Sequence, residues 1–346
     1  MTEPLAKRER LARTVEGRSV DRLPVALWRH FYAAETSREG LVEAMRGWQK
    51  TYDWDFLKIN PRASYHVEDW GNRCEFSESE HVKPSLVRAA VHRPDDFRHL
   101  DLLDAAGTGD GRRAPVLADH LGAVADLRKA LGPDAPMLMT VFTPMSIAAD
   151  LAGGPQDLAA LIQSDATMVH VGLRAITDTF VRFARACLDA GADGLFFATT
   201  HCATTTNFTL EQYEEFGRPY DLEVLEAAAG APLNLLHVCK SHAMLRQLAD
   251  YPAAMLNWDM RDPTNPAMSE GAALAPDKGL VGGLDRALFT QAERPAGKGA
   301  CGTLLAQLDE TRREMDRRPF VVGSTCTIET TSDPDTIMAV CEAVGR

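Results

Sequence analysis

A chain of 346 residues, 45% hydrophobic and 25% charged, can bury a large core, and residues 1–346 are read as one barrel-sized domain. Its formal net charge of −12 argues against a nucleic-acid partner and against anionic membrane surfaces. No apolar run approaches the roughly 20 residues of a membrane span, and MTEPLAKRERLARTVEGR (1–18) lacks the apolar stretch of an export signal. The seven cysteines are odd in number and scattered, so reduced thiols and a cytoplasmic location are expected.

The chain begins with an N-terminal helix and then LPVALWRH (23–30), the first of several apolar runs of strand length. A helix over 40–50 leads to a second strand, DWDFLKIN (53–60), whose Asp53 reads as a loop or cap residue. A long gap, 61–135, holds RCEFSES and SLVRAAV, which predict a small hairpin inserted beside the mouth of the sheet. PMLMTVFTP (136–144) is the third strand, with one long or two broken helices over 155–190. ADGLFFATT (192–200) precedes a helix over 209–229, where Thr209 and Gln212 are spaced as a capping box. APLNLLHVC (231–239), a helix over 241–250, AAMLNWDMR (253–261) and GLVGGLD (279–285) follow. Helices over 286–293 and 302–316, the strand PFVVGSTC (319–326) and a last helix opening at Asp333-Pro334 complete the series. Near-continuous apolar strands imply burial on both faces. Their alternation with helices predicts an α/β fold, a (β/α)8 TIM barrel, although a doubly wound open sheet shares the same local pattern.

In such barrels the chemistry sits at the carboxyl ends of the strands. Those ends supply Arg29 and His30, Asn60, Thr143, Thr200 and His201, His237 and Cys239, Asp259, Asp285, and Cys326. Arg29, His30, Asn60, Thr143, Thr200, His201, Asp259 and Asp285 are the candidate substrate-binding residues. His237 and Cys239 are two apart on one strand, so their side chains share a face, and barrel closure brings Cys326 within reach. One imidazole and two thiolates suit zinc with an open fourth position. A pocket histidine beside two small buried cysteines is the alternative. His201 and Cys202 form a rival pair, but adjacent strand residues face opposite sides; Cys187 and Cys341 read as core packing. No Gly-x-Gly-x-x-Gly follows a predicted strand, and there is neither a phosphate-cradling Gly-rich loop nor a nucleophile elbow.

The segments VEDWG (67–71), GADGLFFATTH (191–201), LHVCKSHAMLRQL (236–248) and VGGLD (281–285) resemble the uroporphyrinogen decarboxylase superfamily, from DRLPVALWRH to SDPDTIMAVCEAV. The resemblance implies a (β/α)8 barrel with a cleft at the strand ends, and it carries two chemistries. Metal-free decarboxylases hold pyrrole N–H groups with an aspartate where this chain has Asn60. They carry Gly-His-Gly where it has Ser324-Thr325-Cys326, and an arginine-rich loop where it has only Trp28-Arg29-His30. The methylcobamide:coenzyme M methyltransferase-like branch binds zinc through His-x-Cys and a later Cys, which His237, Cys239 and Cys326 match.

That likeness implies a zinc-dependent methyltransferase moving a methyl group between a corrinoid and a small thiol. The chain has no Asp-x-His-x-x-Gly corrinoid signature, so the methylcobamide is expected on a separate corrinoid-binding protein. The alternatives are a metal-free decarboxylase and a non-catalytic binder of corrinoid or tetrapyrrole.

Overall fold

The structure, a computed structural model, describes residues 4–290 and 300–345. Seven strands form one sheet in chain order: β1 (Leu57–Ile59), β2 (Met137–Phe142), β3 (Gly194–Ala198), β4 (Leu235–Val238), β5 (Met255–Trp258), β6 (Gly279–Leu284) and β7 (Val321–Ser324). Every neighbouring pair is parallel.

Successive strand residues point to opposite faces, and the two faces feed two different cores. Met137, Met139, Leu195, Phe197, Leu236, Leu256 and Leu280 join a large cluster with the surrounding helices. Leu138, Phe196, Leu235, Met255, Val281 and Val321 pack instead with one another and with Leu11 in a second cluster. Side chains from both ends of the strand order meet on that inner face, so the sheet is curled around it. Leu11 comes from the helix Lys7–Val15, which closes the amino-terminal end of the curl.

The strand expected at 23–30 is not a regular strand. It makes isolated bridges at Val25 with Val322 and at Arg29 with Ile328. Ala26 N–H donates to Val322 O (3.0 Å), while Asp55 N–H donates to Val25 O (3.0 Å), so this segment touches both edges of the sheet. Buried charge anchors it. The Asp55 carboxylate, 0% exposed, accepts from Val25 N–H (2.8 Å), Arg10 Nη1 (2.6 Å) and Arg22 Nη1 (2.8 Å). Pro24 and the irregular bends leave too few paired residues for a strand.

Other boundaries moved for local reasons. Asp53 is the cap of the helix Arg38–Tyr52, at φ 51°, so the second strand begins four residues later than expected. The third strand stops at Phe142 because Thr143 caps a new helix, Pro144–Ala152, with Pro144 at its first turn. The helical region beyond splits into Pro155–Ser164 and Ala166–Asp189, and the region 209–229 into Leu210–Phe216 and Arg218–Glu226 about Gly217. In the long gap, Arg73–Glu75 pairs antiparallel with Ser85–Arg88, and Pro115–Leu131 forms a helix that the sequence reading did not contain. The helix expected over 241–250 shrinks to Leu245–Leu248. Arg286–Phe289 is a 3-10 turn, and residues 291–293 of the helix expected there lie outside the described residues. Among the described residues no helix is long and apolar enough to cross a membrane.

Candidate metal centre

Two residues above the apolar inner layer, the inward positions turn polar: Lys58 on β1, Thr140 on β2, His237 on β4 and Asn257 on β5. Lys58, Thr140 and His237 floor a cavity of about 250 Å³ at the carboxyl ends of the strands, and Asn257 is buried next to His237. Its wall includes His30, Lys58, His66, Phe142, Asp150, Phe196, Thr200, His201, His237, Cys239, Lys240 and Cys326.

His237, Cys239 and Cys326 offer one ligand atom each within 4.8 Å of one another, the one such cluster among the described residues. Cys239 lies one residue beyond the end of β4 and Cys326 two beyond β7, both on the rim. The sulfurs are 3.6 Å apart, and Cys326 Sγ lies 3.5 Å from His237 Nε2. A tetrahedral zinc with bonds of about 2.0–2.3 Å has ligand–ligand edges of roughly 3.5–3.8 Å. The two edges that meet at Cys326 match that range, and the third, between Cys239 and His237, lies within 4.8 Å. The thiols also act on one another. The hydrogen bond from Cys239 holds Cys326 well below the ordinary thiol range, with His237 adding to it, while the same bond and burial push Cys239 up.

The imidazole is oriented from behind. Asn257 Nδ2 is committed to two carbonyls, Val281 O (2.8 Å) and Ser324 O (3.1 Å), so its Oδ1 is the atom 2.6 Å from His237 Nδ1. Nδ1 must then donate, which leaves the Nε2 lone pair facing the sulfurs. Asn257 escaped the sequence reading, although an amide inside the apolar run AAMLNW was the available signal.

Lys58 was missed in the same way. It is 6% exposed, gives one hydrogen bond to Asn60 Oδ1 (3.0 Å) and lies over the Phe196 ring at 4.6 Å. Burial pushes its ammonium down to about 7. Asp150 pairs with His66 Nε2 at 2.7 Å, and His201 Nε2 lies 3.4 Å from its other oxygen without a hydrogen bond. These imidazoles hold the Asp150 carboxyl below its ordinary value against burial.

Of the predicted substrate-binding residues, His30, Thr200 and His201 line the cavity. The other five do not. Thr143 is 0% exposed and caps a helix through Ser146 N–H; Asp285 caps the 3-10 turn through Ala287 N–H. Asp259 accepts from Arg261 N–H and Asp262 N–H, closing its own loop. Asn60 is buried outside the cavity lining and accepts from Lys58 Nζ. Arg29 donates to Thr330 O (2.5 Å) and stacks on Phe31 at 4.5 Å, on the rim. Short polar side chains at strand ends serve the turns there as readily as a ligand.

The two loops flanking this wall carry left-handed residues: Thr200 at φ 46°, Lys240 at φ 80° and His242 at φ 52°. Such backbone is costly for side chains with a Cβ, most of all a branched one. The loops hold each other in place through Thr205 N–H to His242 O (3.1 Å) and Met244 N–H to Ala203 O (2.9 Å).

The model of the uroporphyrinogen decarboxylase (URO-D) family matches residues 6–346. A methylated-thiol–coenzyme M methyltransferase of Methanosarcina mazei is 26% identical over 172 residues, covering 50% of this chain and 44% of that protein. A uroporphyrinogen decarboxylase of Mycolicibacterium smegmatis is 29% identical over 183 residues, covering 50% of each. The alignments thus span about half the length of these relatives. In three dimensions, a methyltransferase from Methanosarcina mazei superposes with a TM-score of 0.78 at 17% identity, over 98% of both chains. A B12-independent methionine synthase from Shewanella follows at 0.55 and 13% identity, over 93% of this chain and 95% of that one. These two likenesses are of fold.

Proposed function

The chain belongs to the uroporphyrinogen decarboxylase family, and from that premise we propose that it is a zinc-dependent methyltransferase moving a methyl group between a corrinoid on a partner protein and a small thiol. The observation that carries this reading is the His237–Cys239–Cys326 cluster, whose two edges at Cys326 suit a tetrahedral ion and whose imidazole turns Nε2 to the sulfurs. Zinc held there supplies a position at which a thiol is kept as the thiolate, the nucleophile that methyl transfer requires.

The chain's own residues do the rest. Asn257 fixes the tautomer of His237. Phe142, Phe196 and Ala198 give the cavity an apolar wall that excludes water from the sulfur. The space of about 250 Å³ suits a small thiol, with the bulky methyl donor presented from above by its carrier. The seven free cysteines suit a reducing, cytoplasmic setting, and residues 1–346 are taken as one domain.

Metal analysis of the purified protein should give about one zinc per chain. The zinc-loaded protein should demethylate methylcobalamin only when a thiol is supplied. Zinc-free protein, or demethylation indifferent to every thiol offered, would overturn the proposal. Pigment binding without transfer would mark a non-catalytic binder instead. The relatives named as decarboxylases favour a second reading, metal-free decarboxylation. It leaves the geometry of the two sulfurs unexplained.

A further inference from the structure

A carboxylate–imidazole pair stands on the same cavity wall, outside the set of metal ligands. After the segment 23–30 the chain turns back through the 3-10 helix Ala34–Thr36, with Glu35 N–H donating to Phe31 O (2.9 Å). This turn brings Glu35 behind His30. His30 Nδ1 is 2.8 Å from Glu35 Oε1, and the same oxygen accepts from Phe31 N–H at 2.7 Å. Glu35 is 2% exposed, and its other oxygen, Oε2, is buried without a hydrogen-bond partner among the described residues. A carboxylate can only accept, so Nδ1 is the donor and the lone pair lies on Nε2. The ring is stacked on Tyr32 (5.0 Å, 11° between planes) and lines the cavity with Lys58, His237 and Cys326.

A buried carboxylate behind an imidazole holds its tautomer and favours the imidazolium once a proton arrives. The other two imidazoles of the wall outside the metal set are placed differently, since His66 and His201 both turn Nε2 to Asp150. The charged and titratable groups around the pair include Tyr32 with Glu329 beyond it, Arg29 tied to Thr330 on the rim, and Lys58, which interacts with both Glu35 and Cys326; on the Glu35 side a small pocket adds Arg38, Arg62, Asp119 and His120. Burial lowers the Lys58 ammonium to about 7, so it opposes a protonated His30 less than an ordinary lysine would.

We propose that His30, positioned by Glu35, is the base that takes the proton of the thiol entering the cavity. The inference rests on the methyl-transfer reading. The S–H bond breaks, its electron pair stays on sulfur, and the proton goes to His30 Nε2. When the methyl carbon bonds to that sulfur, the electrons of its former bond leave with the donor. The imidazolium then returns its proton to water.

The test is calorimetric. Zinc-loaded wild type, His30→Gln and Glu35→Gln are titrated with 2-mercaptoethanol and with 2-mercaptoethanesulfonate in buffers of different ionisation enthalpy near pH 7. Wild type should release fewer protons per thiol bound than His30→Gln. Glu35→Gln, with a weaker hold on the imidazolium, should fall between them. In turnover, His30→Gln should lose about 10²-fold in kcat/KM near neutrality. The deficit should shrink as pH rises toward the thiol's own range of about 8–9. Equal proton counts in wild type and His30→Gln would overturn this inference alone. Failure of wild type to bind either thiol would overturn the methyl-transfer reading, and this inference with it.

Discussion

His237 and Asn257 are paired in the register of β4 and β5, and their side chains meet at 2.6 Å between Nδ1 and Oδ1. The amide decides which imidazole nitrogen is left for a metal. Asn257→Leu keeps the volume and removes the acceptor, so zinc affinity should fall about 10–100-fold. Competition against a chromogenic chelator measures it. An unchanged affinity would mean that His237 needs no support from behind.

The sulfur ligands sit on the rim, so removing them should spare the fold. Cys239→Ala and Cys326→Ala should each lose stoichiometric zinc and methyl transfer while unfolding cooperatively near the wild-type temperature. Either variant retaining a full complement of metal would disprove the ligand assignment.

Asp221 gives a pH dependence unrelated to the chemistry. It is 0% exposed, accepts from Tyr213 (2.7 Å) and Tyr251 (2.9 Å), and burial raises its carboxyl from 3.8 to about 7 despite those bonds. Folding therefore favours the protonated form. The contribution is fully present below about pH 4 and is lost as pH rises through 7. Asp221→Asn stays neutral, so it should melt about 2 °C or more above wild type at pH 8 and lose that advantage by pH 4. Melting curves across that window check it, and a parallel offset at all pH values would contradict it.

Uroporphyrinogen should not be turned over. By the family resemblance Asn60 stands where the decarboxylases hold a pyrrole-binding carboxylate, and here it is buried, accepts from Lys58 and is not part of the cavity lining. A charged acceptor for pyrrole N–H groups is absent from that position. Chromatography after anaerobic incubation should find no coproporphyrinogen, and its appearance would restore the decarboxylase reading.

The strand series was legible because apolar runs survive as strands wherever both faces are buried, as in β2 through β7. The run at 23–30 misled because its composition is strand-like while its backbone bonds are shared between two edges at isolated points. The candidate ligands His237, Cys239 and Cys326 were legible as a strand-end His-x-Cys with a later Cys, and the family resemblance tied that pattern to zinc. Residues acting from inside strands, Lys58 and Asn257, were hidden by the apolar residues around them. Glu35, His66 and Asp150 lie on short helices and turns whose approach to the cavity depends on tertiary packing. Conversely, Thr143, Asp259 and Asp285 were chosen for their place at strand ends, and turn geometry claims all three.

The two sulfurs are 87 residues apart in the chain, and one lies two residues beyond the strand at the far edge of the sheet. Closing so long a loop is entropically costly and comes late when contacts are non-local. Zinc bound to this cluster would therefore act as a clock for folding: half-formed chains present at most His237 and Cys239, a weak two-point site. The full three-point grip arises only once β7 docks beside β6. In a refolding experiment, capture of zinc should lag behind the growth of secondary structure and coincide with the final tertiary signal.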